Sequence, residues 1–131
     1  MTEYWENGST DIHQAFLSGE WDTLSPENID CQDANGDTCL HLATTAQQVM
    51  ILVHTYGANT EIKNILGHTP LIQAACDGFS EVVEALVEGT TCDLFEVDEC
   101  GLKASRCAMI MGHSEIAWLL QEAEEKSGTS K

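Results

Sequence analysis

The chain has 131 residues, room for one domain, and 43% of them are hydrophobic, an ordinary share for a globular core. Its charge is not ordinary: 22 acidic against 5 basic residues give a net charge of −17 and a pI near 4.2. Phosphate backbones and anionic membrane surfaces bind clustered cations, so nucleic acid and membrane are excluded as partners. Acidity on this scale serves either solubility or the attraction of a basic protein segment, and composition alone leaves both open.

Residues 1–10 read as a short polar tail, in which Tyr4 and Trp5 are expected to fold against the segment that follows. The opening Met-Thr-Glu-Tyr-Trp-Glu has neither the basic region nor the apolar run of a secretory signal, and no stretch is long enough to span a membrane. The six Cys residues are therefore expected as reduced thiols in the cytosol or nucleus. Cys39, Cys76 and Cys107 fall within helical apolar patterns, where Cys acts as a small buried hydrophobe.

Ile12-His-Gln-Ala-Phe-Leu-Ser-Gly19 reads as a helix ended by its glycine. The next segment, Glu20-Trp-Asp-Thr-Leu24, is too short for a full second helix, and Pro26 stops it. From residue 33 a pattern begins with Gly36-Asp-Thr-Cys-Leu-His-Leu-Ala43. It runs on through a shortened turn, Thr44-Thr-Ala-Gln-Gln48, to Gly57-Ala-Asn59. The strongest form is Gly67-His-Thr-Pro-Leu-Ile-Gln-Ala74, where Thr69 suits an N-cap and Pro70 a first helical position. Gly78 ends that helix, and Val82, Val83, Leu86 and Val87 then give a second helix one apolar face. A weaker form follows: Gly101-Leu-Lys-Ala-Ser-Arg-Cys-Ala108, Gly112-His113 and Ile116-Ala-Trp-Leu-Leu120. Ala104-Ser105 replaces Pro-Leu there, which weakens the start of its helix.

Gly36, Gly67 and Gly101 stand 31 and 34 residues apart. That period, with a Thr-Pro-Leu-His-x-Ala pattern and two short helices per unit, resembles the ankyrin-repeat family. The resemblance covers residues 11–125 and implies an all-α solenoid of stacked helix–turn–helix units with hairpin loops. The units are 11–32, 33–63, 64–97 and 98–125, with 126–131 a polar tail. A degenerate first unit is expected of a terminal repeat. The resemblance also gives His41 and His113 structural roles, bonding between units or at turns.

No Cys-x-x-Cys or His-x-x-x-His spacing supports a metal; Cys39-Leu-His41 and the loose set Cys92, Cys100 and Cys107 do not make a zinc site. A strained nucleophile turn and a phosphate-binding glycine loop are also absent, so neither enzyme activity nor a cofactor is expected. The family binds proteins on its concave side, through hairpin tips and exposed inner-helix positions. Carried over, these are Ala34, Asn35, Asp37 and Thr45 in the second unit, all small or polar. In the third they are Ile65, Leu66, His68, Cys76 and Asp77, and in the fourth Glu99, Cys100, Leu102, Ile110 and Met111.

Adjacent apolar residues at a hairpin tip depart from turn chemistry. They form either an interaction patch or, if Leu66 packs on Leu102, local stacking. The acids Asp77, Asp98 and Glu99 beside them suit a basic or amphipathic segment of a protein partner, bound by a monomer. The expected function is an adaptor, inhibitor or chaperone. The small four-unit form with a shortened second unit is similar to the cyclin-dependent kinase inhibitors of this family. The alternative is an assembly module that makes contact through its ends, with Trp21 and Trp118 as anchors.

Overall fold

The computed structural model of the chain describes residues 11–19, 21, 24–25, 27, 29–90 and 93–128. The tails 1–10 and 129–131, with Tyr4 and Trp5, lie outside the described residues. Among the described residues seven α-helices follow in order: α1 (Asp11–Ser18), α2 (Cys39–Leu42), α3 (Ala46–Met50), α4 (Pro70–Asp77), α5 (Ser80–Gly89), α6 (Ala104–Ile110) and α7 (Ser114–Gly128). α3 continues as a π-helical turn over Ile51–Thr55, and α7 runs past the expected boundary at residue 125. Among the described residues the only β-type pairing is an isolated bridge between Val97 and Lys103.

The helices form two rows. α2, α4 and α6 pack in sequence as the inner row, while α3, α5 and α7 make the outer one. Between the rows runs one continuous core from Phe16, Ile29 and Leu40 through Leu52, Leu71 and Val83 to Leu86, Ala108 and Leu120. Each unit alone is two short amphipathic helices that cannot bury their apolar faces; stacking completes the burial.

Local chemistry explains the element ends. Thr69 Oγ1 accepts the Ile72 N–H at 3.3 Å, and Pro70 opens α4 without wasting a donor. Gly78 closes it at φ 82°, and a Cβ there would lie 2.7 Å from the His113 ring. α6 begins at Lys103 with no side-chain cap, as the Ala104-Ser105 replacement leads one to expect. The shortened turn of the second unit leaves α2 a single turn of four residues, against eight in α4. In the first unit Trp21 turns inward rather than out: it stacks on Phe16 at 5.4 Å and donates from Nε1 to the Phe16 carbonyl at 3.0 Å. It therefore packs on the core and covers part of its first end.

Carboxylates fasten successive units along the loops. Asp30 Oδ1 accepts the Asn59 N–H at 2.8 Å, and Glu61 Oε2 accepts the Asp93 N–H at 3.2 Å. Lys63 adds a bond to the Val97 carbonyl at 2.9 Å and an ion pair to Glu96 at 2.7 Å.

Candidate protein-binding face

Three hairpins project from one side of the array, and each is folded by the same device. A side-chain oxygen at the first position accepts the backbone N–H groups two and four residues on. Asp33 Oδ1 takes Asn35 and Asp37, Asn64 Oδ1 takes Leu66 and His68, and Asp98 Oδ1 takes Cys100 and Leu102, all within 2.9–3.1 Å. The fourth residue is a glycine at φ 78–80° in every case, a conformation that L side chains rarely adopt. Adjacent tips touch: the Ile65 N–H donates to the Asn35 carbonyl at 3.0 Å.

Asp98 is thus a structural acid rather than a rim charge. Burial alone would raise its pKa, but hydrogen bonds from Leu102 and Cys100, with His68 nearby, outweigh that and hold the carboxyl below its ordinary range.

His41 joins the second unit to the third. Its Nδ1 accepts the Thr38 N–H at 3.0 Å, which leaves Nε2–H to donate to the His68 carbonyl at 2.9 Å. The bond at Nδ1 requires the neutral ring, and burial lowers the His41 pKa accordingly. His113 acts in the same way one boundary further on, from Nε2 to the Cys76 carbonyl at 3.1 Å.

The ten residues expected on the concave side fall into two groups. Ile65 (62% exposed), Leu66 (56%), Ile110 (62%) and Met111 (57%) stand in solvent, as do Asp77, Glu99 and Cys100. The other three turn inward, against expectation. Leu102 packs on the core, so Leu66 is not covered by it. Cys76 is half-buried and packs on the core. His68 lies 3.5 Å from Asp98 with its side chain only 14% exposed, and its Nδ1 donates to Gln73 Oε1 at 3.0 Å.

The strip between the exposed apolar residues is polar and bonded to itself. Asn64 Nδ2 donates to Asp37 and Gln73, and Gln73 Nε2 donates to Asp77 at 3.0 Å. The apolar surface is therefore two stations, not one centre: Ile65–Leu66 at a hairpin tip, and Ile110–Met111 at the far end of α6. The missed partner in this arrangement is Gln73, whose central place in the network no turn or helix signal announces.

Three of the thiols are poor nucleophiles. Burial pushes Cys39 and Cys107 up to about 12 and also raises Cys76. The described cysteines, Cys31, Cys39, Cys76, Cys100 and Cys107, are free. Among the described residues no three His, Cys, Asp or Glu groups are placed to hold a metal ion, and no helix is long and apolar enough to cross a membrane.

Residues 4–98 and 47–130 both match the family profile described as ankyrin repeats (3 copies). Ankyrin repeat protein nuc-2 of Neurospora crassa is 34% identical over 103 residues, 76% of this chain and 10% of that protein. Glycerophosphocholine phosphodiesterase GDE1 of Candida albicans is 34% identical over 99 residues, 72% of this chain and 8% of that one. Its namesake in Schizosaccharomyces pombe is 30% identical over 110 residues, 81% of this chain and 9% of the relative. The chain thus spans a tenth or less of the length of these curated relatives.

Proposed function

The chain belongs to the ankyrin-repeat family, and from that premise we propose that it is a non-enzymatic module that holds a protein partner on the concave face of its third and fourth units. The carrying observation is the exposure of Ile65, Leu66, Ile110 and Met111 at positions where the fold needs no apolar side chain. The hairpin is made by Asn64 and Gly67, and its tip residues are free to serve something else. The partner that suits this face is an amphipathic segment that presents apolar residues to both stations. Its basic residues would meet Asp77 and Glu99, each pair contributing about 0–1 kcal/mol, so the apolar anchors supply most of the affinity. The −17 charge raises the association rate with such a segment.

The phosphodiesterase names belong to proteins of which this chain matches under a tenth, and we do not carry their reaction over. A reducing compartment, cytosol or nucleus, suits the free thiols. The test is affinity capture from the source cell with wild type, Leu66→Asp and Ile110→Asp. A basic protein retained by wild type and lost with either variant supports the reading. Equal capture by all three overturns it.

A further inference from the structure

We infer that the outer side of the array carries a second, separate docking surface: the groove between α5 and α7, shaped for a cationic peptide segment that inserts one apolar or aromatic side chain. Charge is the first observation. Glu81, Glu84 and Glu88 on α5 are all exposed and recur at i, i+3 and i+7, so they share one face of that helix. Glu115, Trp118, Glu122 and Glu125 do the same on α7. Glu81 and Glu84 open toward Ala46 and Met50 of α3, while Glu88 and Glu122 meet across the groove between α5 and α7. Asp93, in the loop after α5, adds a third carboxylate at that groove, whereas the concave side uses Asp98 and Asp37 in its own bonds.

Shape is the second observation. Between these faces lies a cavity of about 490 Å³ with Val87, Leu94, Phe95, Leu119 and Ala123 as its apolar lining. Glu88, Asp93 and Glu122 stand at its edge, and Lys126 is the one cation among the described residues that line it. That volume is in the range of small-ligand and side-chain pockets. Phe95 is half-exposed, and Trp118, its Nε1 on Glu122 at 3.0 Å, is 66% exposed at the neighbouring turn of α7. Large aromatic surfaces left in water mark contact sites when they adjoin a groove.

The site already displays the recognition it offers. The Lys103 ammonium sits 5.6 Å from the centroid of the Phe95 ring and pairs with Glu124 Oε1 at 2.8 Å. An ammonium is thus held between an aromatic face and a carboxylate from within the chain. The same pairing of ring and acid is repeated outward by Trp118 and Glu122. Lysine or arginine of a partner completes that second pairing while its apolar neighbour enters the groove.

The test uses a labelled peptide of alternating arginine and leucine, with an arginine–serine peptide of equal length and charge as control. In nuclear magnetic resonance titrations of the full chain the arginine–leucine peptide is expected to shift Val87, Phe95, Leu119 and Trp118. Glu88→Lys with Glu122→Lys, both at exposed positions, should weaken binding at least tenfold. Leu66→Asp, on the other side of the array, should leave it unchanged. Equal binding of the arginine–serine peptide would reduce the surface to diffuse charge and overturn the proposal. So would a shift map centred on Ile65, Leu66, Ile110 and Met111, or one unaltered by the double charge reversal. Because the shift map is read on the wild-type chain, it decides the matter even if a variant fails to fold.

Discussion

Hairpins 64–68 and 98–102 are built alike and used differently. Both are closed by a side-chain oxygen on two backbone donors, and both place glycine at φ near 80°. Yet Gly67 lies against the next tip, where an added Cβ would come 2.7 Å from the Glu99 nitrogen, while a Cβ added at Gly101 would meet nothing within 4 Å beyond its chain neighbours. The tip residues diverge as well: Ile65–Leu66 in one, Glu99–Cys100 in the other, all exposed. The bonding frame is common to the hairpins and indifferent to the tip side chains. Apolar residues at one tip are therefore explained by what they meet outside the fold.

The sharpest way to separate the two hairpins is Gly67→Ala against Gly101→Ala. Each forces alanine to a positive φ at about 1–2 kcal/mol, and only the first also drives Cβ into a neighbouring backbone. Urea denaturation should show a loss of about 3 kcal/mol or more for Gly67→Ala and about 1 for Gly101→Ala. Equal losses would mean that the tips do not support each other.

The boundary beneath the third hairpin breaks next. His41→Ala removes the ring from between Thr38 and the His68 carbonyl and leaves a buried N–H unpaired, at about 2 kcal/mol. Its pH dependence has a definite sign. Burial lowers the His41 pKa below the usual 6.5, so on acidification the unfolded chain takes up the proton first. The contribution of the neutral ring is whole above pH 6.5 and declines as pH falls toward the folded-state value. The stability gap between wild type and His41→Ala should accordingly narrow below pH 6.5 in paired denaturation curves. A gap that widened there would show that the ring is held charged.

A gentler change converts the third hairpin toward the fourth. Asn64→Asp keeps the acceptor oxygen but loses the amide donor to Asp37 and Gln73 and sets two carboxylates face to face. A loss of about 1 kcal/mol is expected, recovered in large part by Asp37→Asn in the double variant. Leu66→Asp should have the smallest effect, within about 0.5 kcal/mol, because its side chain is exposed. A larger destabilisation would place Leu66 among the packing residues and remove it from the binding face.

The sequence made the third unit readable because each of its signals is local. Thr69, Pro70 and Gly78 act on neighbouring backbone and announce a helix start and stop with no help from the rest of the chain. The direction of hairpin side chains is not local. Leu66 and Leu102 look equivalent as apolar residues in tips, but one is at the third hairpin position and the other at the fifth, where the chain turns back under the array. His68 occupies the same fifth position and is drawn inward likewise. The π-helical turn at Ile51–Thr55 has no residue signature. The groove on the outer side escapes a linear reading for a different reason: helical spacing reveals the glutamates, but only the contact of α5 with α7 sets Glu88 and Glu122 around Phe95 and Leu119.

The bonds that tie one unit to the next span 27 to 37 residues, about one repeat, whether they run through His41, Asp30, Glu61 or His113. Such a chain closes only short loops as it folds, so its ordering can start at one unit and spread by contact with the next. Opening follows the same route in reverse, boundary by boundary. A ligand clasping the third and fourth units therefore acts as a clamp at one end of a zipper. It should slow amide exchange most across α4 to α7, less at α2, and least at α1.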